Sequence, residues 1–350
     1  MLYFDTDYNN GLHPILLQRL AETNDVRSLG YGFDEFTESA KQKIRKASDC
    51  HDADVFLLVG GTQTNSTVIA SMLHAVEGVV CADTGHINVH EAGAVEMTGH
   101  KVMTLPNHFG KLDAGELYMF LKDYAEDPTA DHRVRPGMAY ISFPTEQGTL
   151  YSAEEIDNIY QVCRQFNIYL FVDGARLGYA LTSEKTDVSM AFLAHHCDVF
   201  YIGGTKVGAL CGEAVVFPKG NAPRYFFSIV KQHGALLAKG RLAGVQFDAL
   251  FTDGLYFRIA AHANKQAAQL RNIMTRHGFK PYNDSPTNQQ FFVIPNDVIP
   301  LLQRDVMFET WGAYDETSTI CRFVTSWATT DDELSAFSSL IHSYFDNHKK

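Results

Sequence analysis

Several features that would place this chain in a specialised class are absent from its 350 residues. The six cysteines are scattered without a C-x-x-C pair, so neither a disulfide framework nor a zinc site is indicated. Positive charge is in deficit: 29 Lys and Arg face 41 Asp and Glu, for a formal net charge of -12. A nucleic-acid-binding role therefore has no electrostatic support.

Long apolar runs, internal repeats and low-complexity segments are missing as well. No stretch of the sequence approaches the length of a membrane span. The acidic N-terminus, MLYFDTDYNN, has too short an apolar run for a signal peptide. Together with the scattered cysteines, these features predict a cytoplasmic protein. The hydrophobic content of 45% is sufficient for a large buried core.

Short apolar strands alternate with helical segments through most of the chain. This alternation predicts an α/β fold with a mostly parallel sheet and helices on both faces. Ligand sites in such sheets lie at the carboxyl ends of the strands. The predicted strands are 55–59, 79–82, 101–105, 138–142, 169–173, 199–202 and 212–217.

The pattern changes near residue 244. A long helix, from about Gly244 to Gly278, leads into a region of short strands and a last amphipathic helix that begins at Thr330. We therefore divide the chain into residues 1–243, an N-terminal arm with a large domain, and residues 244–350, a small C-terminal α/β domain. The predicted short strands are 289–294, 306–309 and 320–325.

Two of the strand ends carry side chains that suit one cofactor. Asp173 ends an apolar strand, and Lys206 follows another apolar strand after Gly203, Gly204 and Thr205. Pyridoxal phosphate (PLP) needs a lysine for its aldehyde and an acid for its pyridine nitrogen. Alone, Lys206 could be a surface lysine after a turn, and Asp173 could be a helix N-cap residue. The pair favours PLP, held as a Schiff base on Lys206.

Two further junctions bear on the same site. Gly61 and Thr62 open a helix after a buried strand, and free backbone N–H groups there can bind a phosphate. This junction is neither a Walker loop nor a G-x-G-x-x-G motif. His86 and His90 share a helical face, but their order is not H-E-x-x-H and a third ligand is not evident. We therefore expect no metal.

At this point the chain resembles the threonine aldolase and β-eliminating lyase family of fold-type I PLP enzymes. The motifs that carry the resemblance extend over nearly the whole chain, from Thr6 to the last helix. They are GGTQTN from Gly60, DTGHINVHE from Asp83, VDGARLG from Val172, GGTKVGA from Gly203 and RFVTSWATT from Arg322. The resemblance implies a seven-stranded, mostly parallel sheet with a small C-terminal α/β domain.

The resemblance also implies roles within one subunit. His86 would stack on the cofactor ring. Arg176 and Arg322 would together bind the α-carboxylate of the substrate. Thr6 occupies the position of a serine that touches the same carboxylate. From the residues alone, Thr6 could equally belong to a plain turn, and Arg322 could form an internal salt bridge. Gly61, Thr62, Asp173, Arg176, Thr205 and Lys206 complete the implied cofactor contacts.

Other positions are implied to act across a subunit boundary, in a homodimer or homotetramer with shared active sites. Tyr31 matches a tyrosine that reaches the cofactor phosphate of a neighbouring subunit. A phosphate-binding arginine of relatives is replaced by Leu237, and Lys239 or Lys231 are candidates to substitute for it. Tyr31, Lys231 and Lys239 could each also be an ordinary surface residue.

The loop after Ser142 departs from the family. Many members carry a histidine here, near the β-hydroxyl of the substrate, whereas this chain has Thr145 and Glu146. His86 and Glu146 are therefore both candidates for the base that removes the hydroxyl proton.

The resemblance implies an aldolase that cleaves threonine, allo-threonine or a similar β-hydroxy-α-amino acid to glycine and an aldehyde. β-Elimination, transamination or racemisation on the same scaffold is the alternative, because bond choice depends on the pocket. A non-catalytic PLP-binding protein is a further alternative. The intact set of Lys206, Asp173, Arg176 and Arg322 argues against it, because a scaffold needs no carboxylate clamp.

Overall fold

The computed structural model describes residues 1–346. Its strands, in chain order, are β1 (Leu2–Tyr3), β2 (Asp54–Leu58), β3 (Glu77–Ala82), β4 (Val102–Leu105), β5 (Arg135–Ser142), β6 (Tyr169–Asp173), β7 (Val199–Gly203), β8 (Glu213–Phe217), β9 (Lys280–Pro281), β10 (Gln289–Pro295), β11 (Val306–Met307), β12 (Glu309–Ala313) and β13 (Ser318–Val324).

The α-helices alternate with these strands. They are α1 (Pro14–Thr23), α2 (Glu35–Ala47), α3 (Gly61–Met72), α4 (His86–Val89), α5 (Ala114–Glu126), α6 (Ala153–Gln165), α7 (Leu177–Leu181), α8 (Met190–His195), α9 (Phe226–Gln232), α10 (Arg241–Leu250), α11 (Leu255–Arg276), α12 (Ile299–Leu302) and α13 (Asp331–Asp346). In the part of the chain that the structure describes, no helix is both long and apolar enough to cross a membrane.

A seven-stranded sheet forms the centre of the molecule, in the order β2-β8-β7-β6-β5-β3-β4. The β2–β8 and β7–β8 pairings are antiparallel, and the other pairings are parallel. The predicted mostly parallel sheet is thus confirmed. Its strands are nearly continuous apolar runs because both faces are covered, as is usual for parallel sheets.

Alternate residues of each central strand enter separate cores on the two faces of the sheet. Val172 and Phe200 pack in one core, whereas their neighbours Phe171 and Tyr201 pack in the other. The period of two along a strand produces this division. It holds the carboxyl ends of β5, β6 and β7 rigidly side by side, with Ser142 opposite Asp173.

A smaller unit follows the large sheet. Its four-stranded sheet has the order β12-β13-β10-β9, with antiparallel pairings, and β1 pairs with β11 in parallel. A third core lies between these strands and α13, and it includes Phe4, Phe323 and Phe337. The first residues of the chain are therefore bound to the small sheet.

The prediction of one long helix from about residue 244 to 278 is wrong. The chain forms α10 and α11 instead, and Gly254 between them has a φ of 67°. This left-handed conformation interrupts the helix, and glycine adopts it at little cost. α10 packs against α1 and α2. The division of the chain into residues 1–243 and 244–350 stays a prediction.

Candidate active site

A cavity of about 310 Å³ lies where the strands of the large sheet end. The strand ends converge there because parallel strands point the same way. The predicted site residues that line it are Gly61, Thr62, His86, Glu146, Asp173, Arg176, Thr205 and Lys206. The sheet thus brings together residues that are separated by up to 145 positions, from Gly61 to Lys206.

Lys206 follows β7 through a short turn and is partly buried. Among residues 1–346, its Nζ atom has no hydrogen-bond or ion-pair partner. Burial and the nearby Arg176 lower the pKa of Lys206 to about 8, although Asp7, Asp173 and Glu213 act in the opposite direction. The neutral amine is therefore accessible near neutral pH, as attack on a carbonyl requires.

Asp173 is buried and surrounded by hydrogen-bond donors. Its Oδ2 accepts from the Tyr140 hydroxyl at 2.5 Å and from Asn65 Nδ2 at 2.9 Å, and its Oδ1 accepts from the Ala175 N–H at 2.9 Å. Burial alone would raise the pKa of Asp173, but His86 and the hydrogen bonds from Tyr140, Tyr201 and the Ala175 N–H hold the net pKa below its usual value. The carboxylate is therefore charged and suited to pairing with a protonated ring nitrogen.

Asn65 and Glu91 connect His86 to Asp173. The same Asn65 Nδ2 donates to Glu91 Oε1 at 2.7 Å, and that oxygen lies 2.7 Å from His86 Nδ1. Since a carboxylate oxygen accepts, His86 Nδ1 is the donor, which leaves Nε2 with a free lone pair. Sequence reasoning missed this role for Glu91 because it expected the helix of His86 to continue through His90. α4 ends at Val89.

The other end of the cavity is suited to an anion. α3 begins at Gly61, and its N-cap residue Gly60 provides no side-chain hydrogen bond. The first N–H groups of a helix have no partner within the helix, and they carry its positive partial charge. Gly60, Gly61, Thr62 and Thr205 all line the cavity here. A phosphate group fits this end.

Glu213 is a further buried acid at this end, and sequence reasoning missed it. It begins β8 and lines the cavity. The Thr205 hydroxyl donates to its Oε1 at 2.8 Å, and the Gly204 N–H donates to its Oε2 at 3.1 Å. Burial raises the pKa of Glu213 to about 8. A signal was present, because an acidic residue at the start of an apolar strand is unusual.

Glu146 lies beside His86 in the loop after β5. Its Oε1 accepts from the Ser142 hydroxyl at 2.5 Å and from the His86 backbone N–H at 2.9 Å. The side chain is buried, and burial raises the pKa of Glu146 above its ordinary value of 4.5, although the hydrogen bond from Ser142 opposes this rise. The two candidate bases therefore adjoin each other.

The two arginines already have acidic partners. Arg176 donates from Nε and Nη2 to the two oxygens of buried Asp7, at 2.7 and 3.0 Å. Arg322 donates to Gln289 Oε1 at 2.9 Å and is paired with Glu309, so the internal salt bridge considered for Arg322 is present. Arg322 Nε is buried without a hydrogen-bond partner among the described residues.

Both arginines also line a second cavity of about 310 Å³, which shares Lys206, His86 and Glu146 with the first. This arrangement places them beside the amine that would hold a cofactor. Their assignment to the substrate carboxylate stays a prediction.

Thr6 does not lie where the resemblance suggested. Its hydroxyl donates to Asn9 Oδ1 at 2.6 Å, and its side chain lines a separate surface cavity with Asp5 and Asn9. Asp7 turns inward to Arg176, and Tyr8 lines both site cavities. Within its own chain Thr6 therefore does not line either site cavity, and its contact with the substrate carboxylate stays a prediction.

Tyr31, Lys231 and Lys239 lie outside both site cavities of their own chain. The Nζ of Lys231 is 4.5 Å from the centre of the Tyr31 ring, and both lysines are exposed. Within one chain these residues do not reach Lys206. Their contribution to a neighbouring subunit stays a prediction.

Comparison with known proteins decides the family. The family model described as beta-eliminating lyase matches residues 19–296. The chain belongs to the beta-eliminating lyase family. This family and its fold imply PLP as the cofactor, which agrees with the chemistry of Lys206 and Asp173.

Relatives of this beta-eliminating lyase family member include characterised and structurally solved proteins. It is 29% identical over 273 residues to low specificity L-threonine aldolases of Pseudomonas sp. and Pseudomonas aeruginosa, covering 77% of this chain and 78% of theirs. It is 37% identical to the solved threonine aldolase of Leishmania major, with a TM-score of 0.94 and 98% and 99% coverage of the two chains.

A more distant structure shows how widely this family shares its fold. Aspartate aminotransferase from Thermus thermophilus matches with a TM-score of 0.70 at 14% identity, over 98% of this chain and 91% of that one. The predicted fold-type I architecture is thereby confirmed.

Proposed function

We propose that this chain is a PLP-dependent aldolase that cleaves threonine, allo-threonine or a similar β-hydroxy-α-amino acid to glycine and an aldehyde. The observation that carries the proposal is the convergence of Lys206, Asp173 and the uncapped start of α3 on one cavity. The threonine aldolases among the relatives support the reaction type.

The residues present fit PLP. Lys206 has an amine without a hydrogen-bond partner among the described residues, and this amine would hold the aldehyde covalently; Asp173 is a charged acid for the ring nitrogen. Gly61, Thr62 and Thr205 stand at the anion-binding end. When bound, PLP supplies an electron sink for the pair released from a breaking bond.

The arginines would bind and orient the substrate. A carboxylate near Arg322 can accept from its free Nε, and two parallel hydrogen bonds to a guanidinium define an orientation. Glu309 competes for the same guanidinium, since it pairs with Arg322 Nη2. Arg176 stays fixed by Asp7 at the junction of the two cavities.

A base must hold the proton of the β-hydroxyl while the Cα–Cβ bond breaks. His86 can accept it at Nε2, because Glu91 keeps the ring proton on Nδ1. Glu146 is the alternative acceptor, and burial raises its pKa, which makes it a stronger base than an exposed carboxylate.

The proposal also covers the oligomeric state and the cellular location of the protein. We infer a homodimer or homotetramer with shared active sites, in which Tyr31 and either Lys239 or Lys231 approach the phosphate of a neighbouring subunit. The absence of a clustered cysteine pattern supports a cytoplasmic location.

The test is a glycine-release assay on a panel of β-hydroxy amino acids with the PLP-loaded protein. We expect aldehyde and glycine in equal amounts from threonine or allo-threonine. Pyruvate-type or ammonia products without glycine would instead indicate β-elimination, and altered chirality alone would indicate racemisation.

Two experiments, one variant and one labelling of the parent protein, tie the activity to the site. Asp173→Asn should retain the cofactor and lose most turnover, because an amide cannot keep the ring nitrogen protonated. Borohydride reduction followed by peptide mapping should place the pyridoxyl group on Lys206. A label on Lys231 or Lys239, or a kcat of Asp173→Asn within a few-fold of the parent, would contradict the proposal.

A further inference from the structure

Among residues 1–346, Glu213 is the one buried acid lining the Lys206 cavity that the proposed reaction leaves without a role. It lies on β8 between two strands that lead into the anion-binding end, paired in register with Leu58 of β2 and with Gly203 of β7. β2 continues into Gly60 and the start of α3. The Glu213 carboxyl is therefore adjacent to the helix start that is suited to a phosphate.

The partners of Glu213 are hydrogen-bond donors rather than cations. Only the Thr205 hydroxyl and the Gly204 N–H bind its oxygens, and it forms no ion pair within residues 1–346. Its exposed fraction is 4%. Burial favours the neutral acid and outweighs the opposing effect of the nearby Lys206, so the net pKa of Glu213 is raised. The titratable groups that face it are Lys206, Asp173, Tyr201, Cys211 and Tyr256.

The protonation state of Glu213 determines whether the Thr205 hydroxyl can donate a hydrogen bond to an anion in the cavity. A hydroxyl can donate only one hydrogen bond, and the Thr205 hydroxyl donates it to Glu213 when that carboxylate is charged. When Glu213 is protonated, its own O–H can donate to Thr205 Oγ1. The Thr205 hydrogen is then free for an anion in the cavity.

The charge of Glu213 has the same effect on phosphate binding as the loss of the Thr205 donor. A carboxylate close to a phosphate dianion repels it, and the repulsion is strong in a water-poor cavity. The neutral acid removes the repulsion and adds a donor through Thr205.

We propose that Glu213 is the proton-dependent part of the phosphate site: it is protonated when the phosphate of PLP binds, and losing that proton weakens phosphate binding. This inference rests on the proposed function, because it takes the cavity to be a PLP site. It predicts that phosphate recognition fails at alkaline pH, as Glu213 loses its proton.

The experiment compares PLP with pyridoxal, which has the same aldehyde and ring but no phosphate. Dissociation constants of both for the cofactor-free protein are measured by fluorescence quenching between pH 7 and 9.5. The ratio of the two constants isolates the phosphate, because the pH dependence of Lys206 affects both ligands. A phosphate monoester has a second pKa of about 6, so its own charge is constant over this range.

We expect the preference for PLP over pyridoxal to fall roughly tenfold per pH unit above about pH 8 in the wild-type protein. Glu213→Gln keeps the shape and removes the titration, so its preference should stay constant with pH. Glu146→Gln is the matched control: it removes another buried acid of the same cavity that does not contact Thr205, and it should keep the wild-type slope.

A flat wild-type preference, or a slope that survives in Glu213→Gln, would overturn the inference. So would loss of the slope in Glu146→Gln, a result that also decides the question if Glu213→Gln does not fold. If neither ligand binds the wild-type protein, the proposed function itself fails, and the two failures are thus distinguishable.

Discussion

Three buried acids in one cavity differ in charge because the groups around them differ, and His86 lowers the pKa of Asp173 in addition to its hydrogen-bond donors. Asp173 accepts from Asn65, Tyr140 and Ala175, and its pKa is lowered despite burial. Glu146 and Glu213 accept two hydrogen bonds each, and burial raises the pKa of both. The site therefore contains a negatively charged acid for the cofactor ring and two acids that hold their protons to higher pH than exposed carboxyl groups do.

The first prediction at this scale separates the two candidate bases. Glu146→Gln keeps the size of the side chain and removes its basicity. If Glu146 is the base, kcat for aldol cleavage should fall by roughly 10²-fold or more, while the absorbance of the bound cofactor is retained. Steady-state kinetics on threonine and an absorption spectrum measure both quantities.

The pH profile adds a second readout of the same variant. A general base acts when deprotonated, so kcat should rise with pH through the raised pKa of Glu146, at a position above 4.5. This rise of kcat with pH should disappear in Glu146→Gln. An unchanged kcat in Glu146→Gln, together with a large loss in His86→Asn, would transfer the role to His86.

At the scale of elements, the spacing of β6 and β7 positions Asp173 relative to Lys206. Gly174 follows β6 directly, and the Gly203 N–H donates to its carbonyl at 2.9 Å. A Cβ atom at Gly174 would lie 1.9 Å from the backbone oxygen of Tyr201, far inside contact distance. Only glycine lets the chain pass β7 this closely.

We therefore predict that Gly174→Ala separates β6 from β7 and disrupts the cofactor site. Overpacking of this kind typically costs about 1–3 kcal/mol of unfolding free energy, and here a backbone atom must move. Thermal unfolding should show a lowered Tm, and PLP binding should weaken. Gly11→Ala is the control, because a Cβ atom there meets no atom within 4 Å. Equal melting temperatures for the two variants would contradict the argument.

At the scale of the whole molecule, an exposed aromatic group suggests a subunit contact. The exposed fractions of Tyr31, Phe33 and Phe227 are 44%, 65% and 40%, and the rings of Phe33 and Phe227 are 5.6 Å apart. Contiguous exposed apolar surface often marks a protein interface. Tyr31 belongs to this group, which supports the proposal that it acts in a neighbouring subunit.

Mixing two impaired variants tests whether subunits share sites. Lys206→Ala lacks the amine, and the double variant Tyr31→Ala with Lys239→Ala lacks the proposed contacts across the boundary. After joint unfolding and refolding, random hybrid dimers should regain about a quarter of wild-type activity, because half of the dimers contain one intact site of two. Activity equal to the mean of the separate variants, or a fully active monomer by light scattering, would remove the proposal.

The sequence by itself determined the order of strands and helices and the chemistry at their ends. Apolar periodicity is a local property, so it predicted the parallel sheet and placed Asp173 and Lys206 at its carboxyl edge. The break at Gly254 was missed because the apolar pattern continues across it, and only the backbone conformation shows the interruption.

The tertiary structure alone decided which groups meet and which acids carry charge. Asp7 reaches Arg176 across 169 positions, Asn65 joins Glu91 to Asp173, and Thr6 points away from the cavity. None of these contacts can be predicted from the local pattern of apolar residues, since each depends on the approach of segments that are distant in the sequence. The protonation of a buried acid depends in turn on how many donors those segments supply, a quantity that exists only in the folded protein.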